Sequence, residues 1–439
     1  MKTLISRFVL CVVLIAMLVG CGGNTTGQNA PAAETLTYNE HNRNIVICGG
    51  MNDAERNRLW AEDLEYFKNE FPKRHKNPFS VITRETFNQR MDALIAKVDK
   101  LNKDQICVAL QEVIAAVGDA HSHVNIFNGY MYPLQFYIFD GGLYVINTDK
   151  TLADMLFTRV TKINGVDANE VMTRLTALIP HENKSWVLAQ LPNYLTLTVY
   201  MYGLGIIPDQ VKTVFTVEQN GIEREVTVPI FVLNQPVDFY FREQNTGENA
   251  AGNYYYNYKY FEGNQTLLFN YNVCAESPKL PFATFNKGMF DFITDKKAKK
   301  IIVDLRHNHG GNSEVLNPFT NQLPDYLKKN PDTKVYLLIG RDTFSSGADA
   351  IYRIMAVAPK AVSVGEPTGG ALESYGDVRS FHLLNSWLPV CYSTKYFDFN
   401  KQLKKPNQGT NTFVPDVEIT TTLEDYKRKN DAVLNHAMK

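Results

Sequence analysis

Hydrophobic and polar positions follow three successive patterns along this chain, and the first pattern predicts helices. Residues 52–117 carry apolar side chains three and four positions apart, the spacing that gives a helix one buried face. The clearest example is 104–117, which is followed by Gly118, a residue suited to the left-handed conformation just beyond a helix. We therefore expect a helical N-terminal domain over 45–128, with His121 just past a helix end.

The second pattern is mixed, with short β-like runs followed by a helical stretch. Asn220-Gly221 lies between two such runs and is a strong signal for a tight hairpin turn. A helical pattern over 168–178 interrupts the strands. The predicted strands are 134–139, 143–147, 158–163, 214–217 and 223–228. These elements predict a compact β-rich domain over 129–235, which could hold a peptide along a strand edge.

The third pattern consists of continuous apolar runs separated by helical segments. The runs 267–273, 300–305 and 334–338 are typical of strands that are buried on both faces of a parallel sheet. A helix is predicted at 285–295, between the first two of them. Residues 236–439 are therefore predicted to form an α/β domain.

The beginning of the chain has the pattern of an export signal. Lys2 and Arg7 precede an apolar run, 8–19, which is shorter than the ~20 residues needed to span a bilayer. Leu18-Val19-Gly20-Cys21 then has the form of a lipobox, in which the cysteine is acylated and becomes the new N-terminus. An ordinary cleavage site followed by a chance cysteine is the alternative. We predict a lipoprotein signal peptide over 1–20 and lipidation of Cys21, with the membrane as a partner through the lipid anchor.

Composition adds few constraints. Residues 21–44 are rich in small and polar side chains and predict a flexible tether. Gly22 stands where an aspartate would favour retention at the inner membrane, so the outer membrane is preferred. The 45 basic and 46 acidic residues balance, which gives no reason to expect a nucleic-acid partner. The cysteines show no CxxC or metal-binding spacing, and Cys107 and Cys274, in apolar runs, are expected to be buried.

Candidate chemistry begins at the turn TFSSGADA, residues 343–350. A buried strand ends at Gly340, and a helical pattern begins near Ser345 and Ser346. Backbone N–H groups at a helix N-terminus are unpaired, and the helix dipole there is positive, so such a turn can stabilise an oxyanion. Serine is also a common N-cap residue, and this segment alone favours the interpretation that one of the two serines is simply the N-cap.

Two glycine-rich turns and a histidine strengthen the catalytic interpretation. Gly310-Gly311 follows one predicted strand, and 365–370, with the sequence GEPTGG, follows another. Glycine lets the backbone approach a ligand closely. A serine hydroxyl needs a neighbouring base near neutral pKa, and His121 is the available histidine.

Together these segments resemble the C-terminal processing (tail-specific) protease family of serine peptidases, which includes the tricorn protease core. The matching segments, in the family's order, are WAEDLEYF (60–67), HKNPF (75–79), GDAHSH (118–123), ING (163–165), DLRHNHGG (304–311), TFSSGADA (343–350), GEPTGG (365–370) and VPDVEI (414–419). Each is a weak signal by itself, but together, with the two helical segments counted as one, they make seven matches in order that cover most of the chain.

The resemblance implies both a fold and a site. The fold would be α/β, with a crotonase-like (ClpP/crotonase) peptidase core over 236–439, a PDZ-like domain over 129–235 and a helical N-terminal part. The nucleophile would be Ser346, three residues before Asp349. His121 would be the base. The oxyanion donors would be Gly347 and one of the pair Gly310 and Gly311. The substrate would be a polypeptide of the cell envelope, and no cofactor is required.

The chain departs from the family at two positions. One branch has a lysine base after the GEPT turn, but Ala371 follows the glycines here, so a Ser–Lys dyad is excluded. The tricorn-like branch has a histidine in a G-D-x-H setting, which His121 matches, and a glutamate before the C-terminal Pro-Asp, where this chain has Gln408. Gln408 could orient an imidazole as an amide does in Cys-His-Asn enzymes. Glu373 is the second candidate for the third catalytic residue.

Three alternatives to a peptidase follow from these departures and from the histidines. A catalytically inactive peptide-binding lipoprotein on the same fold is one, since the charge-stabilising residue is in question. A hydrolase of non-peptide esters or amides is the second. A metal-dependent hydrolase is the third, suggested by His121-x-His123 and His307-x-His309. Because no third ligand stands at a characteristic spacing, no metal is expected.

Overall fold

The computed structural model describes residues 53–126, 129–232, 235–241, 254–403 and 409–439. The predicted signal peptide, the tether, the lipidated Cys21 and Gln408 lie outside the described residues. The described residues form two compact units. The first, called here the N-terminal unit, comprises residues up to 241 together with 374–397. The second, the core unit, comprises 254–373, 398–403 and 409–439.

The N-terminal unit begins with three helices: α1 (Asp53–Arg74), α2 (Arg84–Ile95) and α3 (Lys103–Ala115). Helix α3 starts at a capping box in which Asn102 and Gln105 exchange side-chain and backbone hydrogen bonds. The three helices bury an aromatic cluster that includes Phe67, Phe71 and Phe87. The predicted helix over 104–117 is thus confirmed, ending slightly earlier than expected.

A second hydrophobic core of this unit lies under a mixed region of strands and helices. Its strands are β1 (His123–Val124), β2 (Tyr130–Met131), β3 (Leu134–Phe139), β4 (Gly142–Thr148), β5 (Arg159–Ile163), β6 (Val166–Asp167), β7 (Lys212–Gln219), β8 (Ile222–Pro229) and β9 (Phe231–Val232). Its helices are α4 (Ala168–Thr176), α5 (Lys184–Thr196) and α6 (Thr198–Gly203). The main sheet has the order β3-β4-β5-β7-β8, and β6 pairs with β5.

The predicted hairpin at Asn220-Gly221 is confirmed. Strands β7 and β8 pair in continuous antiparallel register from Lys212↔Pro229 to Gln219↔Ile222. The two turn residues have φ values of 55° and 79°. Positive φ at both central positions is the type I′ geometry, whose twist matches that of the flanking strands.

A later segment completes the N-terminal unit. Strands β15 (Glu373–His382) and β16 (Pro389–Asp398) join β1 in a three-stranded sheet of order β1-β16-β15. The register places His123 opposite Cys391. Phe381, Val390 and neighbouring apolar side chains of this hairpin are buried in the same cluster as the aromatic residues of α1 and α2.

The core unit is built on a six-stranded sheet of order β10-β11-β12-β13-β14-β17. The strands are β10 (Tyr256–Phe261), β11 (Thr266–Tyr271), β12 (Lys300–Asp304), β13 (Lys334–Ile339), β14 (Val362–Gly365) and β17 (Val417–Glu418). The helices are α7 (Phe282–Lys296), α8 (Asn317–Lys329), α9 (Ser346–Val357), α10 (Leu423–Arg428) and α11 (Ala432–Met438). Strand β10 is antiparallel to β11, and the other pairings are parallel.

Alternate residues of the parallel strands enter two different apolar layers. Ile301 and Val303 of β12 lie in a large cluster that contains residues of α7, α8 and α9, such as Phe290, Phe319 and Ile351. Ile302 lies in a smaller cluster with residues of α11. Each crossover helix leads to the next parallel strand, so the connecting loops that follow β12, β13 and β14 all leave the carboxyl edge of the sheet. Ligands of open α/β sheets bind at this edge.

Two further findings concern the whole described chain. Within the described residues, no helix combines the length and the apolarity needed to cross a membrane. Cys107, Cys274 and Cys391 are buried thiols. The expectation that Cys107 and Cys274 pack as small apolar side chains is confirmed, and burial raises the pKa of each of these two thiols to about 12.

Candidate active site

The turn between β13 and α9 holds Ser346 at the first residue of the helix. The preceding Ser345 has φ 52° and ψ −128°, a backbone conformation that side-chain-bearing residues rarely adopt and that costs roughly 1–3 kcal/mol. Ser345 occupies the N-cap position, but its side chain does not cap the helix. Ser346 does not cap it either, because its Oγ donates a hydrogen bond to the Gly311 carbonyl at 2.7 Å. The simple N-cap interpretation of the two serines therefore has no support in the geometry.

The glycine loop after β12 packs directly against this turn. A Cβ on Gly310 would lie 2.7 Å from the Ser345 Cβ and 2.9 Å from the Ser346 nitrogen. A Cβ on Gly347 would lie 2.3 Å from the Asn308 carbonyl oxygen. Real Cβ atoms do not approach so closely, so glycine is required at both positions for backbone to meet backbone. The loop and the turn that carries Ser345 and Ser346 thus form one continuous backbone surface within the core unit.

The three glycines predicted to donate to an oxyanion differ in the hydrogen bonds of their backbone groups. The Gly310 N–H donates to Asn308 Oδ1 at 2.9 Å, and the Gly347 N–H donates to the Phe344 carbonyl at 2.9 Å. Gly311 forms an isolated parallel bridge with Cys274. In this bridge the Cys274 N–H donates to the Gly310 carbonyl, and the Asn312 N–H donates to the Cys274 carbonyl. That pattern leaves the Gly311 N–H outside the bridge. The Gly311 carbonyl, in turn, accepts the hydrogen bond of Ser346 Oγ.

Asn308 organises the loop and was not singled out from the sequence. Its buried side chain donates to the Tyr271 carbonyl at 2.8 Å and accepts from Gly310, while its carbonyl accepts from the Phe344 N–H at 2.9 Å. It therefore joins strand β11, the glycine loop and the turn that carries Ser346. An asparagine inside DLRHNHGG looks like any loop residue in a sequence, since only the folded chain shows that its amide is buried.

The GEPTGG turn supports the same edge of the sheet. Glu366 and Arg341 form a nearly buried ion pair of 2.8 Å, with side chains 14% and 10% exposed. The Gly370 N–H donates to the Thr343 carbonyl at 2.9 Å. The turn after β14 is thereby fastened to the turn after β13 and holds the start of α9 in place.

The predicted base, His121, belongs to the N-terminal unit and follows α3. Asp119, which is fully buried, accepts hydrogen bonds from the His121 N–H at 2.9 Å, from His75 Nε2 at 2.8 Å and from Ser122 Oγ at 2.6 Å. Burial opposes ionisation of this carboxyl, but the His75 hydrogen bond and the His121 charge outweigh it and lower the pKa of Asp119 to about 2. The charged Asp119 carboxylate therefore holds the turn that carries His121 in place through these hydrogen bonds.

The imidazole of His121 is held in the form that a general base requires. Burial lowers the pKa of His121 below its ordinary value, and the Asp119 carboxylate opposes this shift only in part. The distance between His121 Nδ1 and Asp119 Oδ1 is 3.9 Å, and the His121 side chain is 12% exposed. The neutral imidazole, which can accept a proton, is favoured near neutral pH.

Glu182 is an acidic neighbour of His121 that sequence analysis missed. Among the described residues, neither of its buried carboxyl oxygens has a hydrogen bond of ordinary geometry. Burial, and secondarily the charge of Asp119, raise the pKa of Glu182 well above its usual value, and nearby backbone of Ala120 and Tyr375 offsets only part of this. Its segment, HENKSW, has no motif that would have identified it.

The structure also bears on the remaining candidates. Glu373 Oε1 accepts a hydrogen bond from Asn400 Nδ2 at 2.9 Å within the core unit, and Gln408 is outside the described residues. In the described part of the chain, one group of side chains could hold a metal ion: Asp119, His121 and Glu182, which offer atoms within 4.8 Å of one another. This group is not the His-x-His arrangement considered from the sequence. The ring nitrogens of His123 contact the His121 carbonyl and Asn125 Oδ1, each at 3.1 Å.

Comparison with known proteins yields similarity at the level of structure only. No protein-family model matches the chain, and no curated protein matches it. Mature CPAF in complex with lactacystin has 11% identical residues and a TM-score of 0.59, over 87% of this chain and 97% of that one. Mature CPAF alone gives 11% identity and a TM-score of 0.59, over 87% and 96%. The photosystem II D1 C-terminal processing protease has 10% identity and a TM-score of 0.39, over 84% and 94%.

The likeness to CPAF extends over nearly the full length of both chains, which makes it a likeness of the whole architecture rather than of one sheet. At 11% identity it carries information on the fold and none on individual residues. This chain therefore has a mixed α/β architecture similar to that of mature CPAF.

Proposed function

We propose that this protein is a serine endopeptidase of the C-terminal processing type, with Ser346 as the nucleophile. The observation that carries the proposal is the start of α9, where a strained Ser345 places Ser346 against the backbone of a glycine loop. The family resemblance of the sequence and the similarity of the fold to CPAF support the same interpretation. The crossover helices on one face of the core sheet agree with a crotonase-like core.

The proposed reaction is acyl transfer. His121 accepts the proton of Ser346 Oγ, which attacks the scissile carbonyl. The tetrahedral oxyanion is stabilised by the N–H of Gly311, by that of Gly347 after a small rotation and by the positive end of the α9 dipole. The amine leaves with the proton from His121, and water then hydrolyses the acyl-enzyme. Ser346 and His121 belong to different units, so their cooperation is a proposal that chemical labelling tests.

The substrate class is polypeptide in the cell envelope. The sheet β3-β4-β5-β7-β8 with α4 is the proposed PDZ-like domain, and a cavity of about 230 Å³ lies beside Gly142, Leu143 and Arg159. A Cβ on Gly142 would lie 3.3 Å from the Arg159 Nε, so this guanidinium stands beside the glycine turn. A cationic group beside backbone N–H groups suits a peptide carboxylate. Lipidation at Cys21 and a place at the outer membrane complete the proposal.

The test is labelling with a fluorophosphonate probe, which reacts with activated serines. We expect the mature chain without its lipid to be labelled, Ser346→Ala to be unlabelled and His121→Ala to be labelled at least about 100-fold more slowly. Ser345→Ala is the matched control, since it removes the adjacent hydroxyl and should retain labelling. Labelling that persists in Ser346→Ala would refute the assignment of the nucleophile.

A catalytically inactive peptide-binding lipoprotein is the second candidate. It is favoured by one observation: the glycine loop presents the Gly311 carbonyl, rather than a donor, to Ser346 Oγ. This function predicts no fluorophosphonate labelling of the parent chain while a known serine peptidase reacts in the same tube. It also predicts peptide capture that is unchanged in Ser346→Ala. Restoring an acid with Gln408→Glu would then be the first change to make.

A further inference from the structure

An unexplained group of side chains surrounds His121 in the N-terminal unit. Asp119, His121 and Glu182 bring ligand atoms within 4.8 Å of one another. Zinc lies about 2.0–2.2 Å from nitrogen and oxygen ligands, so the ligand atoms of one site are at most about 4.4 Å apart. Small side-chain rotations would therefore make all three groups ligands of one ion.

Glu182 is the independent observation that points to a ligand. Both of its carboxyl oxygens are buried, and neither has a hydrogen bond of ordinary geometry among the described residues, although the backbone of Ala120 and Tyr375 lies nearby. A buried carboxylate whose oxygens lack well-formed hydrogen bonds is costly, and buried charges in proteins are usually paired or coordinate metals. A cation between Glu182 and Asp119 would satisfy the first carboxylate and remove its repulsion from the second.

The hydrogen bonds around Asp119 resemble those that hold a metal-binding side chain in position. Asp119 accepts from His75 Nε2 and from Ser122 Oγ on one oxygen, Oδ2. Its other oxygen, Oδ1, accepts the His121 backbone N–H and is the one that lies 3.9 Å from the His121 ring. In metal sites, hydrogen bonds of this kind orient the side chains that bind the ion. The His121 side chain, 12% exposed, gives the cluster its access to solvent.

We propose that Asp119, His121 and Glu182 form a zinc-binding site whose occupation switches off the base of the proposed peptidase. One imidazole with two carboxylates suits Zn²⁺, whereas Mg²⁺ and Ca²⁺ favour sites made of oxygen atoms alone. A coordinated His121 commits one ring nitrogen to the ion, and the positive charge makes the other nitrogen a poorer proton acceptor. Zinc would therefore slow attack by Ser346. The effect on activity rests on the proposed function, but zinc binding does not.

Zinc binding is measured first, with the chelator-treated mature chain competing for Zn²⁺ against a chromophoric chelator. We expect one equivalent to bind, and Glu182→Gln to bind at least about 100-fold more weakly. Glu223→Gln, which removes an exposed glutamate of the same unit, is the matched control and should bind like the parent. His121→Ala is the second ligand variant, should Glu182→Gln fail to fold by circular dichroism. Ca²⁺ and Mg²⁺ should not compete.

Fluorophosphonate labelling with and without zinc then tests the consequence. Zinc should slow labelling of the parent reversibly, and labelling of Glu182→Gln, whatever its zinc-free rate, should not fall when zinc is added. A parent that binds no zinc, or a Glu182→Gln protein that binds it as the parent does, would overturn the site. Zinc binding by a parent that is never labelled would retain the site and refute the peptidase, so the two failures are distinguishable.

Discussion

At the scale of single residues, the candidate site combines one strained position with several buried polar groups. Ser345 adopts φ 52° although it has a side chain, and the contacts of Gly310 and Asn308 around the same turn hold it there. Strain of this kind persists only where the surroundings over-determine it, and it concentrates at functional sites. Neither the strain nor the burial of the Asn308 amide can be seen in the sequence.

Asp119 allows a prediction about stability and pH. Its pKa in the folded chain is about 2, below the ordinary aspartate value of ~3.9. A carboxyl group whose pKa is lower in the folded chain stabilises the fold at pH values above its pKa in the unfolded chain. That stabilisation is lost as the pH falls from about 4 to about 2. The shift corresponds to about 2–3 kcal/mol. We expect the difference in unfolding free energy between the parent and Asp119→Asn to shrink as the pH falls through this range.

Urea unfolding at a series of pH values measures this difference. Asp291→Asn, at an exposed ion pair with Lys287, is the control, and its difference from the parent should be small at every pH. If the difference in unfolding free energy between the parent and Asp119→Asn stays constant down to about pH 2, ionisation of Asp119 does not stabilise the folded chain.

At the scale of elements, the start of α9 is set by contact between backbones. Gly347→Ala places a Cβ where the Asn308 carbonyl oxygen lies, 2.3 Å away. We expect it to lower the unfolding free energy by roughly 1–3 kcal/mol and to suppress fluorophosphonate labelling. Gly288→Ala is the matched control in α7, since a Cβ there meets nothing within 4 Å. It should raise stability by about 0.5–1 kcal/mol and leave labelling intact.

Thermal unfolding and labelling rates of the two glycine variants give the comparison. Equal stability of Gly347→Ala and Gly288→Ala would contradict the close packing of the loop on the turn. Normal labelling of a folded Gly347→Ala protein would show that the geometry of this turn does not matter for the serine.

The sequence predicted the elements well where burial dictates the pattern. The runs 300–305 and 334–338 became β12 and β13, because strands buried on both faces are made mainly of apolar residues. The Asn-Gly turn fixed the hairpin β7–β8 by its backbone preference. Glu182 could not be found, because its burial depends on tertiary packing and its segment has no local pattern. The roles of Ser346, His121 and Gly347 remain predictions.

At the scale of the whole molecule, buried thiols give a readout of folding in each unit. Cys107 lies in the N-terminal unit and Cys274 in the core unit, and burial raises the pKa of each thiol to about 12. Since the thiolate is the reactive form, we expect both to resist iodoacetamide in native buffer and to react in denaturant. Peptide mapping by mass spectrometry measures each thiol separately. Rapid modification of either cysteine under native conditions would show that its surroundings open readily.

The discontinuity of the units has a consequence for how the protein is made. The helical cluster of the N-terminal unit buries Phe381 and Val390, and β1 pairs with β16, although these residues follow most of the core unit in the chain. A ribosome that has synthesised only the first half of the chain has therefore released helices whose apolar faces are not yet covered. The N-terminal unit, including the turn that carries His121, can reach its final packing only after β11 to β14 and the turn with Ser346 have been translated. Vectorial synthesis thus delays completion of the first unit until nearly the whole chain has emerged.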